Sequence, residues 1–332
     1  MIRRPRREPP VVLNFGVDLL LSGPFYPFTA WWMWVFEIRF WQCGGKEMES
    51  MEARIRLGFV LLGIIGSVLL LSNMSFTGPS MASGGKTARR AFDFGKTYVV
   101  RPKGKHQATV VWLHGLGDNG SSWSQLLEAL PLPNIKWICP TAPTRPVTLF
   151  GGFPSTAWFD VEELSEDAPD DLEGLDAAAT HVANLLSTEP ADIKIGIGGF
   201  SMGSATALYS GTCFSVGKYA NGNPFTANLS AVVGLSGWLP CAKTLGKQLE
   251  GADGAADRAA SLPTLLCHGK ADDVVSHKYG EKSSRVLTSL GFKDVTFKSY
   301  NSLGHYTIPQ EMDEVCAWLS SKLGLDTSSS SK

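Results

Sequence analysis

Across residues 92–325, short apolar runs alternate with segments whose apolar positions repeat at helical spacing. Runs at 109–113, Ile135–Cys139, 193–197, Ala231–Leu235, 264–267 and Val295–Tyr300 are mostly rich in β-branched or aromatic side chains, which predicts strands. Between them, Leu172, Leu175, Ala179, Val182 and Leu186 recur at spacings of three and four behind Asp171, a good N-cap residue, which predicts a helix. Segments 201–214, 278–290 and Pro309–Leu323 read the same way. Strands alternating with helices imply a parallel sheet covered on both faces. Residues 92–325 therefore read as one α/β domain with a mostly parallel central sheet, and 326–332 as a polar tail prone to fraying.

Residues 1–91 break this pattern and read as an N-terminal extension. Four arginines crowd positions 1–8, and an aromatic stretch over 9–41 is interrupted by Pro24 and Pro27, which argues against one regular helix there. Residues 57–71 carry no charge, and Ser67 is their only polar side chain; extension to Phe76 takes in Ser72, Asn73 and Ser75. A bilayer span needs about 20 apolar residues and a signal-peptide core about 7–15, so this run lies between the two. Two readings stand side by side. Either 57–76 is a membrane anchor, or Met81 begins the functional protein and the upstream stretch is an optional extension. Basic residues flank the run on both sides, so charge does not orient it.

Composition narrows the function classes. Thirty Lys+Arg against 31 Asp+Glu leave a net charge of −1, without the basic footprint of a nucleic-acid binder. Hydrophobic residues make up 44% of the 332-residue chain, which excludes disorder for most of it. The six cysteines form no C-x-x-C pair and no zinc-ligand spacing, so no metal site is expected. Scattered thiols, with Cys139 and Cys267 inside apolar runs, favour a reducing compartment.

The strongest local signal is Gly199-Phe200-Ser201-Met202-Gly203, behind a predicted strand and ahead of a predicted helix. G-x-S-x-G in that setting is a nucleophile elbow, and its fold carries the triad in the chain order Ser, acid, His. His106, His114 and His181 precede Ser201 and drop out. For His268 the only acids in range (Glu250, Asp253, Asp257) occupy a loop-like Gly/Ala stretch, and His277 sits at the start of a helix. His305, after the last predicted strand, is left as the base. The acid belongs on the turn after strand 264–267, where Asp272 and Asp273 compete; spacing favours Asp272 without excluding its neighbour. His268 reads as a strand-end histidine bonded to nearby backbone. Oxyanion donors are expected from the amides of Met202, after the nucleophile, and Leu116, in the first strand–helix loop His114-Gly115-Leu116-Gly117-Asp118. Gly115, Gly117 and Gly120 also spell G-x-G-x-x-G, but the downstream partners of a nucleotide fold are missing.

Together, HGLGD at 114–118, WFD at 158–160, GFSMG at 199–203, SGWLP at 236–240, HGKADDVV at 268–275 and Gly304-His305 resemble the acyl-protein thioesterases and lysophospholipase-like carboxylesterases, particularly plant members. The resemblance covers about 92–325. It implies an α/β-hydrolase fold and cytosolic esterase and thioesterase activity without a cofactor. It also implies S-palmitoylated proteins or lysophospholipids as substrates. Carried over by position, it makes Ser201 the nucleophile, Asp272 the acid and His305 the base, with Leu116 and Met202 as backbone donors. Many members have Gln where this chain has Met202, which matters little because only the amide is needed. The extension before residue 92 has no counterpart in the common form, so a membrane-anchored alternative to the cytoplasm stays open. The family would place an acyl-chain channel beside the apolar, glycine-rich segment 147–158. Leu149, Phe150 and Phe153 are its candidate contacts. Trp158 is a further candidate, although it and Asp160 read more readily as structural. The alternatives are a carboxylesterase on small esters, including hormone-like methyl esters, and a non-catalytic ligand receptor. A homodimer is a candidate assembly. The sequon Asn119-Gly120-Ser121 lies beside the oxyanion loop, where a glycan would crowd the site; this also favours the cytosol.

Overall fold

The computed structural model describes residues 92–165 and 168–325. The extension 1–91 with its candidate membrane segment 57–76, and the tail 326–332, lie outside the described residues. Among the described residues no helix is long and apolar enough to cross a membrane.

Seven strands form the central sheet: β1 (Tyr98–Val100), β2 (Ala108–Leu113), β3 (Ile135–Cys139), β6 (Lys194–Phe200), β7 (Ala231–Leu235), β8 (Thr264–Gly269) and β9 (Val295–Tyr300). Their spatial order is β1-β3-β2-β6-β7-β8-β9, with β1 antiparallel to β3 and every other pair parallel. A separate antiparallel hairpin pairs β4 (Thr144–Val147) with β5 (Phe153–Thr156). The helices are α1 (Gly120–Glu128), α2 (Leu172–Leu186), α3 (Met202–Val216), α4 (Ala242–Glu250), α5 (Ala255–Ser261), α6 (His277–Ser289) and α7 (Pro309–Leu323).

The period-two alternation of β2 divides the core. Ala108, Val110 and Trp112 face one side, where Trp123 and Leu127 of α1 and Met312, Val315 and Leu319 of α7 close over them. Val111 and Leu113 face the other, against Leu175 and Ala179 of α2, Ala205 and Leu208 of α3 and Leu287 of α6. Helices therefore cover both faces of a mostly parallel sheet, the α/β-hydrolase arrangement. Helix α3 is buried along nearly its whole length and is built largely of small residues, which let it lie close under its neighbours.

The structure adds elements the apolar pattern did not announce. The Gly/Ala stretch around Glu250, Asp253 and Asp257, expected as a loop, carries α4 and α5. The apolar, glycine-rich segment 147–158 supplies most of a hairpin. Its strands hide from sequence because Pro146 and Pro154 sit directly opposite each other, and neither can donate to a ladder.

Candidate active site

Strand β6 delivers Ser201 at φ 56° and ψ −121°, a backbone conformation that L residues rarely adopt. The turn is held from both sides: Ser201 N–H donates to Leu235 O (2.8 Å), and Ala205 N–H donates to Ser201 O (3.1 Å). The flanking glycines are steric requirements. A methyl on Gly203 would overlap the Leu113 carbonyl, and one on Gly199 would overlap the Gly203 backbone. Met202 is the first residue of α3, so helical geometry leaves its N–H without an intrahelical acceptor.

His305, in the loop between β9 and α7, reaches Ser201. Its Nδ1 is 2.9 Å from Asp272 Oδ2 and its Nε2 is 2.9 Å from Ser201 Oγ. A carboxylate can only accept, so Nδ1–H donates to Asp272, and the bare Nε2 accepts the Ser201 hydroxyl proton. The other Asp272 oxygen, Oδ1, accepts the N–H groups of Val274 (3.0 Å) and Val275 (2.8 Å). Burial opposes a charge on Asp272, but hydrogen bonds from His268 and His305, the charge His305 carries when it is protonated and the Val275 amide outweigh it. The carboxyl is held well below the usual carboxylate range. Asp273 is exposed. The choice that spacing left open is thus resolved by distance: Asp272 touches the histidine.

The first strand–helix loop lies against the serine. A side chain on Gly115 would meet Ser201 Cβ at 3.3 Å. Fully buried His114 organises this loop: its Nδ1–H donates to Gly115 O (2.7 Å), while Nε2 accepts Ala142 N–H (3.0 Å). Burial lowers its pKa, which favours the neutral tautomer those bonds require. Gly117 N–H donates to Thr156 O (2.9 Å) and the Thr156 hydroxyl to Asp118 O (2.7 Å), tying the loop to β5. Leu116 sits within this braced segment, half-buried against the core.

A phospholipase/carboxylesterase family model matches residues 95–323. The chain belongs to that family. Acyl-protein thioesterase 1 of Gibberella zeae is 33% identical over 233 residues, covering 66% of this chain and 92% of the relative. Acyl-protein thioesterase 1 homolog 1 of Dictyostelium discoideum is 33% identical over 236 residues, covering 68% and 96%. The crystal structure of Zea mays acyl-protein thioesterase 2 shares 73% sequence identity with a TM-score of 0.69, over 69% of this chain and 100% of that one.

In this phospholipase/carboxylesterase family member the candidate acyl contacts divide. Leu149 (40% exposed) and Phe150 (47%) stand out at the tip of the β4–β5 hairpin, and Phe153 is half-buried at the start of β5. Trp158 is not presented to a substrate: it is buried in the core, and its Nε1–H donates to His114 O (2.8 Å). Asp160 anchors the hairpin. It accepts Thr148 N–H (2.8 Å), Thr148 Oγ1–H (2.6 Å) and Val161 N–H (2.9 Å). The sequon residue Asn119 caps α1, accepting the N–H groups of Ser121 and Ser122 through its side chain.

Three features escaped the sequence. Phe200 stacks obliquely on His305 with ring centroids 4.8 Å apart; the x of the elbow motif was its only trace. A cavity of about 560 Å³ is walled by Phe159, Leu164, Trp238, Leu239 and Val286. Trp238, two residues after the positive-φ Ser236, meets Phe159 edge-on at 6.0 Å. The third is the approach of His268 to Asp272, taken up below; its bond to nearby backbone, Val275 O, is the one expected from sequence.

Proposed function

We propose that this chain is a serine hydrolase that removes long-chain acyl groups from protein cysteines through an acyl-enzyme. The single observation carrying the reading is the unbroken chain of two 2.9 Å contacts, Asp272–His305 and His305–Ser201, beside a braced glycine loop. Ser201 Oγ attacks the thioester carbonyl as its proton passes to His305 Nε2. The ionised Asp272 holds the ring in the tautomer with Nδ1–H toward Oδ2 and stabilises the imidazolium that forms. The tetrahedral oxyanion is taken by the amides of Leu116 and Met202, the second reinforced by the N-terminus of α3. Collapse breaks the C–S bond, and the cysteine sulfur leaves with the proton held on His305. Water then gives a proton to the same Nε2 and adds to the acyl-serine, and a second collapse releases the fatty acid and restores the Ser201 hydroxyl.

The relatives' shared name, acyl-protein thioesterase, supports a thioester on a protein as substrate. The exposed Leu149 and Phe150 support a long acyl chain, since uncovered apolar side chains reward contact with methylenes, and their hairpin is tied through Thr156 to the glycine loop beside Ser201. A reducing, cytoplasmic setting suits the five cysteines among the described residues, all free and buried.

The test is hydrolysis of an S-palmitoyl peptide and an ester chain-length series by wild type and Ser201→Ala. Serine-dependent turnover that favours the palmitoyl thioester is expected. Turnover confined to short esters would instead identify a carboxylesterase of small substrates, and equal rates for both proteins would remove the catalytic assignment.

A further inference from the structure

Asp272 is gripped by more than its triad partner. His268, the fifth residue of β8, is buried on every side, and its Nε2 lies 2.8 Å from Val275 O and 3.4 Å from Asp272 Oδ2. A carbonyl oxygen only accepts, so Nε2 carries the proton, directed at Val275 O with the Asp272 oxygen as a longer second acceptor. The N–H of that same Val275 donates to Asp272 Oδ1. The histidine at the start of the turn thus closes a ring: imidazole to Val275 carbonyl, Val275 amide to carboxylate, carboxylate back to imidazole. Oδ2 meets two histidines, His305 at 2.9 Å and His268 at 3.4 Å.

Helix α6 is shaped to admit this ring. Gly280 faces it, and a methyl there would overlap His268 Nδ1. His277 closes the remaining side edge-on, with centroids 5.7 Å apart and its own Nε2 2.8 Å from Ser299 Oγ.

We propose that His268 is a positioning residue for the hydrolytic reaction, holding Asp272 in register with His305 through Nε2–H and the backbone N–H and C=O of Val275. The inference rests on the assignment of Ser201, His305 and Asp272 as the reacting triad. Triad geometry is tight enough that a displacement of about 1 Å costs on the order of 10²-fold in rate. The Nε2 donor is the feature that matters, so a side chain that restores a donor at that point should restore rate, while a packing substitute should not.

The experiment compares wild type, Ser201→Ala, His268→Leu, His268→Gln and Gly280→Ala as full chains, with melting curves and full kinetics on one ester. His268→Leu is expected to lower kcat at least tenfold with KM within twofold. His268→Gln, whose amide N–H can stand where Nε2 stands, is expected to recover most of kcat. Gly280→Ala, a change that favours helix by about 1 kcal/mol elsewhere, is expected to lower kcat like His268→Leu by displacing the ring. It therefore carries the test should His268→Leu not fold. Wild-type kcat in folded His268→Leu or folded Gly280→Ala would overturn the proposal, as would a Gln variant as impaired as a folded Leu variant. Wild-type turnover equal to that of Ser201→Ala would instead fail the triad assignment itself, a distinct result.

Discussion

The elbow at Ser201 and the tip of the β4–β5 hairpin are opposites in construction. The elbow is fixed by backbone packed on backbone: Gly199 on Gly203, Gly203 on Leu113, and Ser201 held at a strained φ by bonds on both sides. At the hairpin tip the backbone is also anchored, by Asp160 and by Leu149 N–H to Val161 O (2.7 Å), but the side chains of Leu149 and Phe150 are turned to solvent. One region leaves no freedom because the chemistry tolerates none. The other holds its loop firmly while leaving an apolar surface uncovered, as a site that selects rather than reacts would do.

That contrast breaks first at the chemical end. Asp272→Asn leaves the shape intact but lets the wrong His305 tautomer form, and kcat should fall about 10⁴-fold. The loss should be equal for acetyl and palmitoyl substrates; a loss confined to long chains would place selection, not reaction, at the triad. Gly203→Ala attacks the elbow's packing. Since a β-carbon there overlaps rigid backbone at Leu113, unfolding free energy measured in denaturant should drop by about 3 kcal/mol.

A third expectation concerns the support under the His305 loop. Glu311, at the start of α7, is fully buried, and burial, with Glu314 adding to it, outweighs the support of the Ile308 backbone and pushes its pKa up to about 8. Between pH 4.5, the ordinary value, and about 8, the unfolded chain has released this proton while the folded chain still holds it. The folded state binds more protons in that window, so stability should fall as pH rises through it and level off above. Glu311→Gln should flatten that slope and gain about 2 kcal/mol at pH 8, less than the full shift implies because a buried carboxylate draws in water. Parallel stability–pH curves for the two proteins would contradict it.

The smallest effect belongs to the hairpin. Leu149→Ser with Phe150→Ser should leave the melting temperature nearly unchanged, because both side chains are already exposed. It should lower kcat/KM for long acyl chains by about tenfold while sparing acetyl esters, the loss of roughly two buried methylenes' worth of contact. An equal loss on both would erase the contrast.

What sequence could reveal follows the same division. Strands β3, β7 and β9 and helix α7 fall where the pattern predicts them: β3 and β7 are largely buried apolar runs, β9 is an edge strand rich in β-branched and aromatic residues, and α7 is amphipathic. Helix α4 carries Ala242, Leu245 and Leu249 at helical spacing, but over only nine residues and beside a glycine-rich stretch, while the opposed prolines disguise β4 and β5. At the site, motif and chain order point to Ser201 and His305. Spacing favours Asp272 over Asp273, but which carboxylate the turn folds inward is a matter of geometry, and adjacent identical residues carry little local signal of that. The bracing by His268, Val275 and Gly280 joins β8 to α6 across space, where spacing says little.

The five described cysteines are free and buried, and burial raises each thiol's pKa, to about 12 for Cys139 and Cys241 and about 11 for Cys316. In the proposed reaction the product is a newly freed cysteine sulfhydryl, and these five sulfurs are kept out of the exchange. These five cannot serve as acceptors for the acyl group in transit, nor can they react appreciably with a thiol-specific dye near neutral pH. Release of the product sulfhydryl can therefore be followed continuously in the cuvette, with the folded catalytic domain nearly silent.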